Sequence, residues 1–471
     1  MNSLAKTIST YFFICFLLIN PITSFSQRQK AYNAIYSGVP WFDDKENVVS
    51  AHGANIIKDK DRFYLFGERH TDTSNAFAGF NCYSSDDLFN WKFESIALPL
   101  QSSGKLGPNR VGERPKLMKC PSTGEYIMYM HVDTFGYVDQ FVGYATSKNV
   151  AGPYTFKGPL LFNGRPIRKW DMGTFQDEDG IGYLLLHGGD IYKLSDDYRS
   201  ITEQVNKAMA RGFEAPAIFH KDSLYYFLGS DLSGWERNEN YYYTATSLKG
   251  PWIYRGNFAP QGTLTWNSQT TFVLAIHGLK ETTFMFMGDR WSFPKQASAA
   301  TYVWQPLTVN GYNLSMPAYM EAWKVDLSTG KVFLGTSGVK SVNAFDTKIH
   351  YSGNWKNDTL SVKTSKEKGG SFSFTAKARQ IGFYGLARPD GGYAHVGIQN
   401  SKGKTILFSN IDMYCKYPVS TLKFISPLLP KDNYTITVSV LGENWYWVEK
   451  SGRRSGSKGY SISLGKIVIK E

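Results

Sequence analysis

Three carboxylates and two further polar residues recur in similar short contexts along the chain. They are His52 in Ser-Ala-His-Gly, Glu113 in Val-Gly-Glu-Arg-Pro, Asp171 in Lys-Trp-Asp-Met-Gly, Glu214 in Gly-Phe-Glu-Ala-Pro and Gln269 in Trp-Asn-Ser-Gln-Thr-Thr. A single carboxylate among apolar neighbours is usually a salt-bridge partner or a turn cap. Three at equivalent places favour a functional site, because burying unpaired charges costs several kcal/mol each.

Hydrolysis of a glycosidic bond requires this kind of residue set. One protonated acid serves the leaving oxygen, and a second group activates water or attacks the sugar. Trp170, Trp235, Trp266 and Trp291 lie beside or just after these segments, where their flat faces could stack on sugar rings. Packing in an apolar core explains part of this set equally well.

The elements that position these residues form a repeat. A polar turn followed by alternating aromatic and aliphatic residues occurs at 58–67, 122–130, 177–186, 221–228 and 280–287. A second type of segment follows at 80–86, 141–147, 191–197 and 241–247, with a looser copy at 301–304. Strand, hairpin and two further strands, repeated five times, predict a five-bladed β-propeller over residues 27–330. A pair of β-sandwiches is the alternative.

The pattern changes beyond Gly330. Strict period-two alternation at 371–378, 434–440 and 460–464 predicts an antiparallel β-sandwich over residues 331–471. Residues 27–330 carry 30 Lys and Arg against 31 Asp and Glu, a net charge of −1, whereas residues 331–471 carry 21 against 9, a net charge of +12. This asymmetry supports the boundary. It favours no nucleic-acid partner, and leaves attraction to an acidic polysaccharide and an ordinary solvated surface as alternatives.

The N-terminus predicts export. Lys6 precedes an apolar stretch at 11–19, and small residues at Ser24 and Ser26 precede Gln27, as in a cleaved signal peptide of residues 1–26. A retained anchor is the alternative, and no other long apolar run predicts a membrane span. After removal of the signal, three cysteines remain, an odd number that argues against a disulfide framework.

Six motifs in chain order resemble those of glycoside hydrolase family 43, and specifically its exo-β-1,3-galactanase branch. The motifs are Glu113-Arg-Pro, Trp170-Asp-Met, Phe213-Glu-Ala-Pro-Ala, Ser233-Gly-Trp, Asn267-Ser-Gln-Thr and Met287-Gly-Asp-Arg-Trp. The resemblance runs from about Val39 to Trp323, nearly the whole first domain.

The resemblance implies a five-bladed propeller and inversion of the anomeric configuration. It gives Glu214 as the general acid and Asp171 as the carboxylate that orients this acid and raises its pKa. The family's usual base, an Asp at the start of the first blade, is missing, because the chain reads Val49-Ser-Ala-His-Gly there. In the galactanase branch, the positions of Glu113 and Gln269 approach the nucleophilic water. On chemical grounds Glu113 can act as a base, whereas the neutral Gln269 amide can only position water.

The remaining expectations follow from the same resemblance. Besides the four tryptophans, the candidate substrate-binding residues are Asp289 and Arg290, and His52 is assigned a structural or ion-coordinating role. No cofactor is required and no metal ligands are assigned, although the propeller channel allows a structural calcium ion. The C-terminal sandwich resembles accessory carbohydrate-binding domains through Gly382-Phe-Tyr-Gly and the segment 425–430. A purely structural lid is the alternative.

The sequence therefore predicts an exported, monomeric, exo-acting glycosidase, periplasmic or extracellular, that releases galactose from β-1,3-galactan. Two alternatives remain at this stage. One is an enzyme of the same fold for terminal arabinofuranose, xylose or galactofuranose. The other is a catalytically silent propeller that binds glycans, which the missing first-blade Asp suggests.

Overall fold

The computed structural model describes residues 31–210, 212–335, 340–358, 360–449 and 452–471, so the predicted signal segment lies outside the described residues. These parts of the chain are almost entirely β-structure, as predicted. Their helical turns are short: a 3-10 turn at Gly104–Leu106, α1 at Leu264–Asn267 and α2 at Gln296–Ala299. None of the helices described is long and apolar enough to cross a membrane. The three cysteines in this part of the chain, Cys82, Cys120 and Cys415, are buried and free.

After a short strand, β1 (Ile35–Tyr36), five sheets follow in chain order, and their strands pair antiparallel except for one parallel pair in the third sheet. The first sheet contains β2 (His52–Asp59), β3 (Arg62–Glu68), β4 (Gly79–Ser85) and β5 (Lys92–Pro99), and the second contains β6 (Arg110–Lys119), β7 (Tyr126–Thr134), β8 (Phe141–Ser147) and β9 (Thr155–Pro159). The third contains β10 (Leu161–Phe162), β11 (Arg165–Pro166), β12 (Met172–Gln176), β13 (Gly182–Leu186), β14 (Asp190–Leu194) and β15 (Ile201–Asn206). The fourth contains β16 (Glu214–Lys221), β17 (Leu224–Ser230), β18 (Asn240–Ala245) and β19 (Ile253–Asn257), and the fifth contains β20 (Gln269–His277), β21 (Thr282–Arg290), β22 (Thr301–Asn310) and β23 (Asn313–Ser315).

The repeat found in the sequence matches these sheets strand by strand. Each polar turn connects the first two strands of its hairpin, as between β2 and β3 or between β20 and β21. The second type of segment forms the third strand, as in β4 and β18. The strands β2, β6, β12, β16 and β20 contact one another in sequence, and β20 contacts β2 again. Buried aromatic and aliphatic side chains pack between successive sheets. Because the contacts among the first strands close into a circle, these strands surround a shared centre.

Two further strands follow the fifth sheet. They are β24 (Ala322–Val325) and β25 (Val332–Leu334), and β24 pairs with both β25 and β1. The predicted boundary at Gly330 therefore lies in the turn of a hairpin, where Gly330 N donates to Asp326 O. The change of sheets falls after Leu334 and before Lys340.

The C-terminal region forms sheets of its own. Its strands are β26 (Lys340–Asn343), β27 (His350–Ser352), β28 (Lys356–Asn357), β29 (Lys363–Ser365), β30 (Ser371–Ala378), β31 (Gln380–Ala387), β32 (Tyr393–Gln399), β33 (Thr405–Asp412), β34 (Val419–Ile425), β35 (Asp432–Val440), β36 (Tyr446–Val448), β37 (Arg454–Gly456), β38 (Ile462–Leu464) and β39 (Lys466–Lys470). Two of the sheets have the strand orders β26-β39-β31-β34 and β27-β30-β35-β32-β33.

The C-terminal region and the first five sheets share one apolar core. A single buried cluster contains Trp41, Trp304 and Trp323 together with Phe372 and Phe383. Burial of large aromatic side chains is among the strongest stabilising contributions in a fold. The C-terminal region is therefore packed against the preceding sheets, as the structural-lid alternative requires.

Candidate active site

A cavity of about 950 Å³ lies where the first strands of the five sheets begin. Its wall includes all four predicted catalytic residues, Glu113, Asp171, Glu214 and Gln269. Three of the predicted substrate-binding tryptophans also line it, namely Trp170, Trp235 and Trp291. The repeat thus brings together four catalytic candidates that are up to 156 positions apart in the chain.

Bulges in the first strands aim these side chains into the cavity. The pairing of β6 with β7 shifts after Glu113, and that of β16 with β17 shifts after Glu214. The next residues, Arg114 and Ala215, have φ values of 51° and 55°, and Asp171 has a φ of 44°. Left-handed conformations of non-glycine residues cost about 1–3 kcal/mol each and cluster at functional sites. Left-handed backbone thus occurs at Asp171 and at the residues that follow Glu113 and Glu214, as well as at other positions along the chain.

Gly53 occupies the matching position after His52 in the first sheet. Its φ is 62°, and a Cβ there would overlap Oε1 of Glu68. The same Glu68 oxygen accepts a hydrogen bond of 2.9 Å from the Arg114 backbone N–H. A side chain at position 53 would therefore disturb the placement of Arg114.

Arg114 is the cation at the centre of the site. It is only 5% exposed, its Nε donates to Oδ1 of Asp171 at 2.8 Å, and its Nη2 donates to Oε1 of Gln269 at 2.7 Å. In the sequence this residue stands within the Glu113-Arg-Pro motif, which predicts no role for it. Charge balance was the available signal, because three buried carboxylates require a buried cation.

Glu214 has the electrostatic environment of a proton donor. Burial raises its pKa well above the usual value, and the negative charge of Asp171 raises it further. The charge of Arg114 and hydrogen bonds from the Ser233 backbone and the Gln269 side chain act in the opposite direction. The carboxyl group is therefore kept protonated at a higher pH than an exposed glutamate.

Asp171 is held in the opposite state. Burial alone would raise its pKa, but the charges of Arg114 and His131, with hydrogen bonds from Arg114 and the Ala215 backbone, lower it overall. Its Oδ2 accepts from Ala215 N at 3.0 Å, so it is tied to the residue that follows Glu214. One ionised and one protonated carboxyl group side by side are the arrangement expected of an acid and its modulator.

Gln269 uses its whole amide on protein partners. Its Oε1 accepts from Arg114 Nη2 and, at 2.8 Å, from Trp291 Nε1. Both partners can only donate, which fixes the orientation of the amide. Its Nε2 then donates to Glu214 Oε1 at 3.0 Å and to Ser230 Oγ at 3.1 Å. The sequence analysis expected Gln269 to position water, whereas in this arrangement it positions Glu214.

Glu113 is held from two sides. Its Oε1 accepts from Tyr137 OH at 2.7 Å, and its Oε2 lies 3.0 Å from Nδ1 of His131. The other ring nitrogen of His131 lies 3.2 Å from Oδ2 of Asp133. Burial lowers the pKa of His131, but the hydrogen bonds to Asp133 and Glu113 outweigh it and raise the pKa to about 9. The His131 imidazolium contacts Glu113 Oε2, and the Glu113 oxygens have lone pairs left for a water molecule.

Three predicted substrate-binding residues do not reach the cavity wall. Trp266 donates from Nε1 to Met316 O, and Arg290 donates to the main-chain oxygens of Asn267 and Trp266. Asp289 is buried, where it contacts His52 Nδ1 at 3.1 Å and accepts from the Gly53 N–H. Their described contacts are thus with protein groups, and they support the strands rather than face the cavity.

The centre between the sheets is occupied by a lysine side chain. Lys116 Nζ donates to the main-chain oxygens of Gly53 and Ala54 at 2.6 and 2.8 Å and to Thr271 Oγ1 at 3.1 Å. Within the described residues, no group of three or more His, Cys, Asp or Glu side chains could hold a metal ion. The oxygens that could ligate calcium here already accept from an amino group, so this centre does not fit a calcium ion.

The C-terminal region also contributes to the cavity wall, which the sequence analysis did not predict. The residues are Lys416, Trp447, Glu449, Arg453, Arg454, Ser455, Gly456, Ser457 and Lys458. Most belong to the hairpin of β36 and β37. The alternation pattern does not show where such a hairpin packs. The basic composition of the region was the only related signal in the sequence.

Comparison with known proteins agrees with the motifs. The family model described as glycosyl hydrolases family 43 matches residues 47–257. An exo-β-1,3-galactanase from Phanerochaete chrysosporium, solved with galactose, is 28% identical with a TM-score of 0.70, and the match covers 93% of this chain and 100% of that one. A variant of that enzyme was solved with β-1,3-galactotriose. A search of curated protein sequences finds no significant match.

A bacterial structure gives a higher identity over the first region. A proposed exo-β-1,3-galactanase from Bifidobacterium bifidum is 35% identical with a TM-score of 0.55, and the match covers 59% of this chain and 95% of that one. With the family model and the carboxyl groups described above, this identity establishes the relationship. The chain belongs to glycosyl hydrolase family 43 and is a glycoside hydrolase.

Proposed function

We propose that this protein is an exo-acting galactan 1,3-β-galactosidase that removes galactose from the non-reducing end of β-1,3-galactan with inversion. The observation that carries the proposal is the buried Glu214 beside the ionised Asp171 and Arg114 in the cavity wall. The galactose and β-1,3-galactotriose complexes of the 28% identical fungal enzyme support this choice of substrate.

In this proposal Glu214 protonates the leaving glycosidic oxygen. Gln269 Nε2 donates to Glu214 Oε1, so the acidic proton is carried on Oε2. Asp171 favours the protonated state through its charge, and Arg114 holds Asp171 ionised. Proton delivery to a poor leaving group contributes about 10²- to 10⁴-fold to the rate.

Glu113 takes the second role, as the base that removes a proton from the attacking water. His131 and Tyr137 hold its two oxygens in place. An inverting mechanism requires this water on the face of the sugar opposite to the acid. Gln269 is assigned to orienting Glu214, because both of its acceptor positions are taken by donors from Arg114 and Trp291.

Aromatic faces at the cavity provide the sugar contacts. Trp170 is 39% exposed although it lines the cavity, so part of its ring is free to contact a ligand. Trp235 and Trp291 meet edge to face, with centroids 4.8 Å apart, and form a second aromatic wall. Buried polar residues next to the buried Trp291, with the more exposed Trp170 also in the wall, suit a terminal sugar that enters first.

The architecture and setting complete the proposal. We interpret the five sheets as the blades of a β-propeller within residues 27–330, and the C-terminal sheets as an accessory β-sandwich within residues 331–471. Residues 1–26 are interpreted as a signal peptide that directs a monomeric enzyme to the periplasm or the extracellular space.

Replacement of Glu214 by Gln tests the acid. The amide keeps an oxygen for the Gln269 hydrogen bond but has no acidic proton, so folding is retained. Activity on β-1,3-galactobiose should fall about 10²- to 10⁴-fold, with a smaller loss on an activated aryl β-galactoside that leaves without protonation. Glu178→Gln, an 88% exposed carboxylate in a turn of the third sheet, is the matched control. Equal losses on the two substrates would contradict the assignment.

A further inference from the structure

The hairpin of β36 and β37 forms part of the cavity wall. Trp447 packs against Trp235 with ring centroids 6.0 Å apart and against Phe293 at 5.5 Å. Tyr446 N donates to Phe293 O at 3.2 Å, which ties the hairpin to the strand end of the fifth sheet. Gly234, with a φ of 58°, allows the approach, because a Cβ there would lie 3.1 Å from Trp447 Nε1.

A buried arginine fixes the base of this hairpin. Arg237, 2% exposed, donates from Nη2 to Trp291 O at 2.8 Å and to Asp412 Oδ2 at 3.1 Å. Its guanidinium lies 5.1 and 4.8 Å from the ring centroids of Tyr414 and Trp445, which stack on each other with their centroids 5.2 Å apart. The hairpin is therefore held in a defined position relative to the carboxylates of the cavity.

The two ends of the cavity wall differ in composition. Glu68, Glu113, Asp171 and Glu214 are at the buried end together with Arg114 and His131, and the basic residues of the C-terminal region are at the exposed end. Those basic residues are Lys416, Arg453, Arg454 and Lys458. The surplus positive charge of the C-terminal region is thus partly directed toward the opening of the active site.

Two of these cations are available to a ligand. Arg454 donates to the neutral Asn444 Oδ1 at 2.9 Å and stacks over the Tyr446 ring at 4.3 Å. Neither Arg454 nor Lys458 forms an ion pair with a carboxylate of the described residues, and both are exposed. Lys416 donates to Arg237 O, and Arg453 pairs with Glu449.

We propose that Arg454 and Lys458 bind the carboxylate of a uronic acid substituent on the leaving-group side of the substrate. This inference rests on the proposed function, because in an exo-acting enzyme the terminal galactose occupies the buried end and the rest of the chain leaves past the opening. A guanidinium and an ammonium group at the opening provide charge-assisted hydrogen bonds for such a carboxylate. The enzyme is thereby selective for acidic branched galactans.

Two synthetic substrates that differ only in one carboxylate test this inference. Both are β-1,3-galactotrioses with a branch on the second galactose, glucuronosyl in one and glucosyl in the other. Two exposed ion pairs of ordinary strength predict a kcat/KM about five- to tenfold higher for the glucuronosyl substrate at low salt. The preference should fall toward one in R454A/K458A, and also in the wild type at 1 M salt.

K402A/K404A is the matched control, since it removes the same charge from an exposed turn before β33, whereas Asp412, the partner of Arg237, is at the other end of that strand. It should keep the wild-type preference and activity, and thermal unfolding should show that both double variants are folded. A wild type without preference, or a preference unchanged in R454A/K458A, overturns the inference. A wild type that releases no galactose from unbranched β-1,3-galactotriose overturns the proposed function instead.

Discussion

Replacement of Asp171 by Asn tests the electrostatic coupling at the centre of the site. Asp171 accepts from Arg114 Nε at 2.8 Å through one oxygen and from Ala215 N at 3.0 Å through the other. An Asn side chain has one oxygen and one NH₂ group, so one of these buried donors loses its acceptor. That loss costs about 1–3 kcal/mol of stability.

The effect on activity comes through Glu214. Without the charge of Asp171 its pKa falls, because that charge is the largest electrostatic contribution that raises it and Arg114 then acts unopposed. The general acid must be protonated, so activity is lost as the pH rises through its pKa. The alkaline limb of the pH profile should therefore move to lower pH in Asp171→Asn. Beyond the new pKa the rate falls about tenfold per pH unit.

The assay is kcat/KM for β-1,3-galactobiose between pH 4 and 9, with unfolding measured at each pH. Asp289→Asn is the matched control: it is also a buried carboxylate, but it faces His52 and Gly53 rather than the cavity. It should destabilise the fold without moving the alkaline limb. If the alkaline limb of the pH profile does not move in Asp171→Asn, the charge of Asp171 does not raise the pKa of Glu214, and the coupling is refuted.

Three further predictions concern buried charges. The folded-state pKa of His131 is raised to about 9, so its stabilising contribution is complete below pH 6.5 and is lost as the pH rises through 9. Over that range, chemical unfolding should show that the free energy of unfolding falls by about 3 kcal/mol more in the wild type than in His131→Gln. Equal decreases would contradict the raised pKa. Arg237→Ala leaves Asp412 as an uncompensated buried charge and should lower the free energy of unfolding by about 3–5 kcal/mol in a denaturant titration. The double variant Arg237→Met/Asp412→Leu should lower it less, and equal decreases would argue against the ion pair. EDTA should leave the melting temperature unchanged, because Lys116 occupies the centre between the sheets; a clear decrease reversed by calcium would show that this centre binds the ion.

The sequence predicted the inner-strand residues because a repeat places equivalent positions in equivalent geometry. Glu113, Asp171, Glu214 and Gln269 stand at equivalent places before the turns of their repeats, and all four line the cavity. The same reasoning could not separate Asp289 and Arg290 from them. Alternation along a strand assigns a face, but these two side chains are turned to protein partners by their own hydrogen bonds.

Two parts of the site depended on contacts that no local pattern contains. The role of Arg114 comes from a left-handed bulge that points its side chain at residues 57 and 155 positions away. The position of the C-terminal hairpin depends on a junction that joins Arg237 to Asp412, 175 positions apart. Such docking follows from the complementarity of two folded surfaces, which a single sequence does not display.

The central claim is that the cavity removes one galactose at a time by inversion. Proton NMR of β-1,3-galactotriose during the first minutes of reaction tests it most directly, because the anomer that is released first can be observed before mutarotation. The account predicts free α-galactose together with β-1,3-galactobiose as the first products, and no such products with Glu214→Gln. Initial release of β-galactose, or no galactose at all, would contradict it.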